Sequence, residues 1–462
     1  MLNISLLKLN KIPILLALTS VAFYLSFAYD LVRTDYLKLT VLYTALFFLF
    51  YKLVQIQKGN FKFLVGLIFL FRLLFLFATP NLSQDFYRFI WDGRIILEGF
   101  NPYLFTPESF ILNGQFPISQ AQELYNGMGE LNGSHLTNYT PINQLFFVIA
   151  GLFAGKSIFG SVIIMRLFII VADFGTLYFG KKLLEKLNIP IHHIFWYLLN
   201  PFIIIELTGN LHFEGIMIFF LIWGLYLFKI GKWKVAAIIF AGSGSVKLIP
   251  LIFLPLFFQS FTDKNIEGKW NPNLKGIGKL LIFYAIVCGL TVLSFIPFYN
   301  TELINNYTDT VALWFQRFEF NASFYYVARA IGYTFRGYNE IAFIGKAIPI
   351  VVTCFVLILT FFRKNKTPIE LITAMLMALS FYYFMGTTVH PWYLATLLIL
   401  SIFTKYKYPL VWSFVIILSY LAYANADNTE NLWIIGFEYL IVYGVFIWEI
   451  IIKKGYPKGS LV

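Results

Sequence analysis

Residues 280–298 read Leu280-Leu281-Ile282-Phe283-Tyr284-Ala285-Ile286-Val287-Cys288-Gly289-Leu290-Thr291-Val292-Leu293-Ser294-Phe295-Ile296-Pro297-Phe298, a run without one charged side chain. A helix needs roughly 17–25 apolar residues to cross the hydrocarbon of a bilayer, and this run is long enough. It does not alternate apolar with polar positions, so it reads as a helix rather than as a strand of a membrane β-barrel. Comparable runs occupy 12–29, 37–54, 61–79, 158–180, 343–362, 369–386 and 432–451. Shorter ones occupy 194–207, 216–229, 235–246, 248–258, 392–404 and 410–424. Together they predict an all-α polytopic membrane protein with about 12–14 crossings, the lower figure applying if two short runs are half-helices.

The composition agrees. Of 462 residues, 59% are hydrophobic and only 13% are charged, against roughly 25% charged in soluble domains. A single water-soluble core does not grow past roughly 250–300 residues, so this much apolar surface has no soluble home. Cys288 and Cys354 both sit in apolar runs and offer neither a disulfide framework nor a metal knuckle. The net charge of +12 invites a nucleic-acid partner, but its distribution removes that reading. With the N-terminus in the cytoplasm, 23 of the 35 basic residues fall in loops on one side: Lys8 and Lys11, Lys52 to Lys62, Lys181 to Lys186, Lys229 to Lys234, Lys264 to Lys279, Arg363 to Lys366, Lys405 and Lys407, and Lys453 to Lys458. An excess of Lys and Arg marks the cytoplasmic face. Both termini are then cytoplasmic, and the chain is expected to be one membrane-embedded domain, residues 1–462, of a bacterial inner membrane.

Two loops on the opposite, extracytoplasmic side are long enough to carry chemistry, about 80–157 and 299–342. The segment 142–155 is read as a juxtamembrane helix of the first loop, because a crossing there would carry Lys181 and Lys182 outside. The cytoplasmic loops hold no Gly-rich phosphate cradle, so no nucleotide site is expected inside.

The first loop contains Ser83-Gln84-Asp85-Phe86-Tyr87-Arg88-Phe89-Ile90-Trp91-Asp92-Gly93-Arg94, ending at Gly99-Phe100-Asn101-Pro102-Tyr103. Ser83 can cap a helix and Gly99 with Pro102 can stop it. Asp85, Arg88 and Asp92 then share one face, flanked by Tyr87 and Trp91. Asp85 lies in the first turn, where the helix dipole favours a carboxylate. A charged cluster at membrane depth is costly and usually functional.

Further motifs follow in order: Tyr139-Thr140-Pro141, Arg166 with Asp173, Asn210-Leu211-His212-Phe213-Glu214-Gly215, and Val246-Lys247-Leu248-Ile249-Pro250. With the Asp85 loop and its Gly-x-Asn-Pro-Tyr tail, this series resembles the GT-C superfamily of membrane glycosyltransferases. More narrowly it is similar to glycosyltransferase family 87 and the polyprenol-phosphate-mannose-dependent α-mannosyltransferases. The Gly-His-Asn-Asp type motif of such enzymes is altered here, with Phe213 and Glu214 replacing Asn and Asp. The resemblance implies inverting transfer of a sugar, mannose being favoured, from a polyprenyl-phosphate donor to a hydroxyl of a glycan, glycolipid or protein acceptor on the extracytoplasmic side. It implies Asp85 as the catalytic base.

Substrate contacts are assigned to Tyr87, Arg88, Asp92, His212, Glu214, Lys247, Arg317 and His390. Lys247 follows Gly242-Ser243-Gly244-Ser245, a stretch able to break a helix, and its cation suits a leaving phosphate. His390 heads His390-Pro391-Trp392-Tyr393, where Trp392 and Tyr393 read by default as an interfacial aromatic belt. Arg317 stands among Trp314, Phe318, Asn321 and Tyr326 in the second loop, a mixture that suits sugar rings and hydroxyls. Arg166 and Asp173 read as a fold-stabilising ion pair, Arg72 as a buried cation of unknown partner, and Glu206 as facing a cavity. No His, Cys, Asp or Glu grouping has convincing ligand spacing, so no metal or other cofactor is expected to be required. The competing readings are a lipid or sugar transporter, which would need polar residues through both leaflets, and a ligase or polymerase of lipid-linked glycans.

Overall fold

The computed structural model describes residues 11–262, 273–425 and 427–452. Lys8, Lys264, Lys269, Lys453, Lys454, Lys458 and the two termini lie outside the described residues. Among the described residues the chain is helical, and β pairing is confined to one bridge between Phe320 and Thr388. Among the described residues seven helices have the length and apolarity to cross a membrane: Lys11–Tyr29, Tyr36–Gln57, Ile158–Lys186, Leu274–Phe298, Ile341–Phe362, Pro368–Met385 and Leu432–Ile452. An eighth crossing would be the bent pair Ile191–Leu198 and Pro201–Gly209, which meet at 51°. Five further apolar helices are shorter, including Pro141–Ala154, Trp233–Val246 and Ile249–Phe261. The apolar runs of the sequence predict about 12–14 crossings; seven or eight of these helices reach full spanning length, and proline and polar breaks leave several of the others at 10–17 residues.

The bend follows from Asn200-Pro201. Proline has no N–H to continue the preceding helix, and Asn200 caps the next one by accepting from Phe202 N at 3.0 Å. The freed carbonyls at the far end need donors. Arg166 supplies them, bonding Thr208 O at 2.8 Å, Gly209 O at 2.9 Å and Leu76 O at 3.0 Å. The expected Arg166–Asp173 ion pair is therefore not formed. Seven residues along a helix is about 10.5 Å of rise, so each charge finds a partner on a neighbouring element instead. Asp173 pairs with Arg72 at 2.6 Å, both fully buried, and Arg72 also donates to Leu198 O at 2.8 Å.

Residues 80–157 fold as a helical cap. Ser83 Oγ accepts from Asp85 N at 3.3 Å, and helix Asp85–Leu97 ends at Gly99, whose φ of 84° allows Phe100 N to reach back to Ile95 O at 3.1 Å. The helix lies against Pro141–Ala154, with Phe89 and Phe147 stacked at 4.7 Å. Gly93 permits the approach: a Cβ there would stand 2.3 Å from Phe147 O. In the second long loop, helices Leu303–Gln316 and Phe324–Arg336 flank a segment pinned to the His390 region. Phe320 N donates to Thr387 O at 3.1 Å, and Val389 N to Phe320 O at 2.8 Å.

Candidate active site

The two loops and several helix ends enclose a cavity of about 660 Å³. Asp85 lines it from the first turn of its helix. Asn132 Nδ2 donates to Asp85 Oδ1 at 3.4 Å. Burial pushes this carboxyl above the usual aspartate range, and Lys247, the Asn132 hydrogen bond and Arg33 oppose that rise. Asp85 is thus a carboxylate in a poorly solvated place, more basic than a surface aspartate and able to accept a proton.

Lys247 faces the same cavity. It terminates Trp233–Val246 in an extended conformation, φ −149° and ψ 141°, before Ile249–Phe261 begins. Two short helices therefore meet at this lysine. Its ammonium is hydrogen-bonded to the buried carboxylate of Glu214 and lies 6.0 Å from the centre of the Tyr393 ring. Thr140 Oγ1 donates to Val246 O at 2.7 Å, fastening the Tyr139-Thr140-Pro141 motif to the break that presents the lysine.

The third wall is aromatic. Trp392 is sandwiched between His212, 3.7 Å between ring centres, and His390, at 4.5 Å. Burial, with Lys247 adding to it, lowers His390 to about 3 and holds His212 well below the usual histidine range. Both imidazoles are neutral at physiological pH, each with one N–H to give. His212 Nε2 lies 3.8 Å from Glu206 Oε2, too long for a hydrogen bond, and Tyr420 OH donates to Glu206 Oε1 at 2.7 Å. Glu206 thus stands just behind the histidine wall.

The structure brings together Asp85, Arg88, His212, Lys247 and His390 on one cavity, with Glu214 directly behind Lys247. Arg88 is mostly engaged, bonding Asp92 at 2.7 Å and the carbonyls of Asn132 and His135, with Nη2 left over. Asp92 is fully buried behind it, accepting from Gln144 Nε2 at 3.1 Å, and does not line the cavity. Tyr87 packs on Phe86 and against Gly127, away from the lining. Arg317 is exposed and outside the lining; the loop's arginine that lines the cavity is Arg329, paired with Glu319. Trp392 and Tyr393 line the cavity as well, so they are not merely a belt. Sequence reasoning missed Arg33, whose guanidinium stacks 4.1 Å over Tyr423, and Asn143, Glu319, Arg329 and Glu430. The signal for Arg33 was its place, an arginine in the short connection between the first two long apolar runs, on the side away from the basic loops. Among the described residues no three His, Cys, Asp or Glu side chains gather as a metal site.

A cavity with a buried basic carboxylate, a facing ammonium, neutral imidazoles and aromatic walls can bind a phosphorylated sugar and move a proton. Neither the curated proteins nor the solved structures searched contain a match to this chain. A family model does match: that of the alpha-(1→6)-mannopyranosyltransferase N-terminal domain, over residues 25–262, which takes in Asp85, His212, Glu214 and Lys247 but ends before His390. Since that match covers more than half of the chain, the protein belongs to the MptA/B family of mannopyranosyltransferases and is a mannosyl-transferring glycosyltransferase of the membrane.

Proposed function

We propose that the enzyme transfers mannose from a polyprenyl-phosphate donor to an acceptor hydroxyl, with inversion, at the extracytoplasmic face of a bacterial inner membrane. The observation that carries this is the shared cavity of Asp85 and Lys247, a proton acceptor and a phosphate partner on one enclosed space. Asp85 takes the proton of the acceptor hydroxyl. The hydroxyl oxygen forms a bond to the anomeric carbon while the bond from that carbon to the phosphate oxygen breaks, and the electron pair leaves with polyprenyl phosphate. The transition state has oxocarbenium character. Lys247 stabilises the charge gathering on the phosphate, and the N–H groups of His212 and His390 are left for sugar and acceptor hydroxyls. A β-linked donor then gives an α product. Lys247 supplies the electrostatic help for which some transferases use a divalent ion, so we assign no metal.

The sidedness is supported by the helix ends. Tyr36–Gln57 runs from beside Arg33 to Lys58, Glu214–Lys229 from Glu214 to Lys229, Trp233–Val246 from Lys232 to Lys247, and Tyr408–Ala424 from Lys407 to Tyr423. Each has one end at the cavity and a lysine at the other, and lysine marks the cytoplasmic side. The test is a donor comparison with purified protein in lipid nanodiscs: polyprenyl-monophosphate mannose, polyprenyl-diphosphate sugars and nucleotide-mannose. Transfer from the monophosphate alone, giving an α-linked product, is expected. Transfer from a diphosphate donor would instead indicate a ligase or polymerase, and movement of substrate across the bilayer without a new glycosidic bond a transporter.

A further inference from the structure

Three features converge beside Lys247, and the reaction as described uses none of them. The first is Asn143. Its side chain is completely buried, and neither amide atom has a hydrogen-bond partner among the described residues. Leaving a buried amide unsatisfied costs about 1–3 kcal/mol per group, so such a side chain points to a ligand. The second is the start of helix Pro141–Ala154. Its N-cap Thr140 gives its hydroxyl to Val246 O and does not cap. The first-turn N–H groups of Ile142 and Asn143 have no intrahelical partner, and the positive end of the helix dipole points the same way. The third is a second chamber of about 210 Å³, separated from the main cavity by a partition that includes Tyr139, Asn143, Lys247, Trp314 and Tyr393. Beyond the partition its walls are Leu248, Ile249, Val311, Phe315 and Tyr382.

We propose that the donor's phosphate sits in this partition, held by Asn143 Nδ2, the open helix start and Lys247, and that its isoprenoid tail runs into the smaller chamber. The larger chamber, with Asp85, then belongs to the acceptor. This rests on the polyprenyl-phosphate reading above and adds which chamber takes which substrate. The arrangement is chemically ordered. An anion placed between an ammonium and a helix N-terminus is stabilised from two directions, the anomeric carbon attached to it faces the main cavity, and the apolar tail leaves on the side away from Asp85. The chamber is lined mainly by apolar and aromatic side chains, with Thr140, Thr387 and Thr388 among them, and carries no carboxylate of its own, as suits a hydrocarbon following an anion.

The test measures binding to the full-length protein in detergent with three probes: a long-chain polyprenyl phosphate, citronellyl phosphate and inorganic phosphate. Val311→Trp fills the smaller chamber and is expected to weaken both lipid probes by about tenfold or more while leaving inorganic phosphate within about twofold. Asn143→Leu is expected to weaken every organic phosphate by about tenfold, the size of one hydrogen bond to a charged group. If Asn143→Leu does not fold, Asn143→Asp keeps the volume, places a negative charge beside the phosphate and should weaken binding at least as much. Binding of inorganic phosphate as tightly as the lipid probes would make the site one for free phosphate and overturn the tail assignment. Long-chain binding indifferent to Val311→Trp, or affinity within about twofold in the Asn143 variants, would also overturn it. A wild-type protein that binds no polyprenyl phosphate at all would instead strike the donor reading from which this assignment starts.

Discussion

Lys247→Met separates a structural from a chemical role for the cation that faces Asp85. The side chain of Glu214 is 1% exposed and that of Lys247 is 20% exposed. Removing one partner of a buried pair costs about 3–5 kcal/mol, and the partial exposure of the lysine puts this case near the lower end, about 3 kcal/mol, through the carboxylate left behind. Chemistry should suffer separately. A hydrogen bond to a charged group contributes about 1.5–3 kcal/mol, so loss of the leaving-group contact should lower kcat/KM by roughly 10- to 150-fold. The double variant Lys247→Met/Glu214→Gln removes the orphaned charge. It should recover most of the stability, measured by unfolding in mixed SDS–detergent micelles, and none of the transfer rate, measured with radiolabelled donor. If the double variant transfers mannose at the wild-type rate, Lys247 acts only as a counter-ion for Glu214 and its place in the mechanism is wrong.

Asp85→Asn should reduce transfer by about 10²-fold or more, the usual contribution of a general base, which a single-turnover assay would read. Its stability should not fall. Burial raises the folded pKa of Asp85, so the folded state holds the proton more tightly than the unfolded one, and ionisation costs stability once pH passes the ordinary aspartate value. The variant should therefore match wild type in acid and gain on it as pH rises through the raised value; a stability loss at neutral pH would contradict the assigned environment. The acid limb of the rate profile should lie above the ordinary aspartate range and move higher still in Lys247→Met, because the ammonium is the largest opposing influence. Arg72→Met should destabilise by about 3–5 kcal/mol and Arg72→Met/Asp173→Leu should recover most of it, both read by the same micellar unfolding. Gly93→Val should cost about 1–3 kcal/mol by overpacking, because the new Cβ meets the Phe147 carbonyl at 2.3 Å.

What was legible in the sequence was whatever the bilayer punishes. Charge in hydrocarbon is so costly that Asp85, Lys247, His212 and His390 stood out as exceptions, and the cavity holds all four. Neighbours along a helix were less reliable. Asp85, Arg88 and Asp92 do share a face, but that face divides between cavity and cap interior, and Asp92 is spent on holding Arg88. The Arg166–Asp173 pairing failed because spacing along one helix says nothing about acceptors on the next, where Arg72 and the carbonyls of the broken span were waiting. Arg317 ends helix Leu303–Gln316 and stays exposed, while Arg329 lines the cavity from Phe324–Arg336, and composition cannot tell which arginine of a loop faces inward. Asn143 was invisible for a different reason: an asparagine in an apolar helix is distinguished only by having no partner, which is decided by the fold around it.

The three carbonyls held by Arg166 have a consequence for biogenesis. They come from Leu76, Thr208 and Gly209, one segment made before the arginine and one made after it. Until Gly209 has left the translocon, the guanidinium has only part of its shell, and until Arg166 is in place the kinked segment after it has bare carbonyls in lipid. Neither helix is a competent membrane resident alone. Insertion of the first half of the chain should therefore be concerted over residues 76–209, with a nascent chain halted short of the kink held at the insertase, and one halted beyond it released to the bilayer.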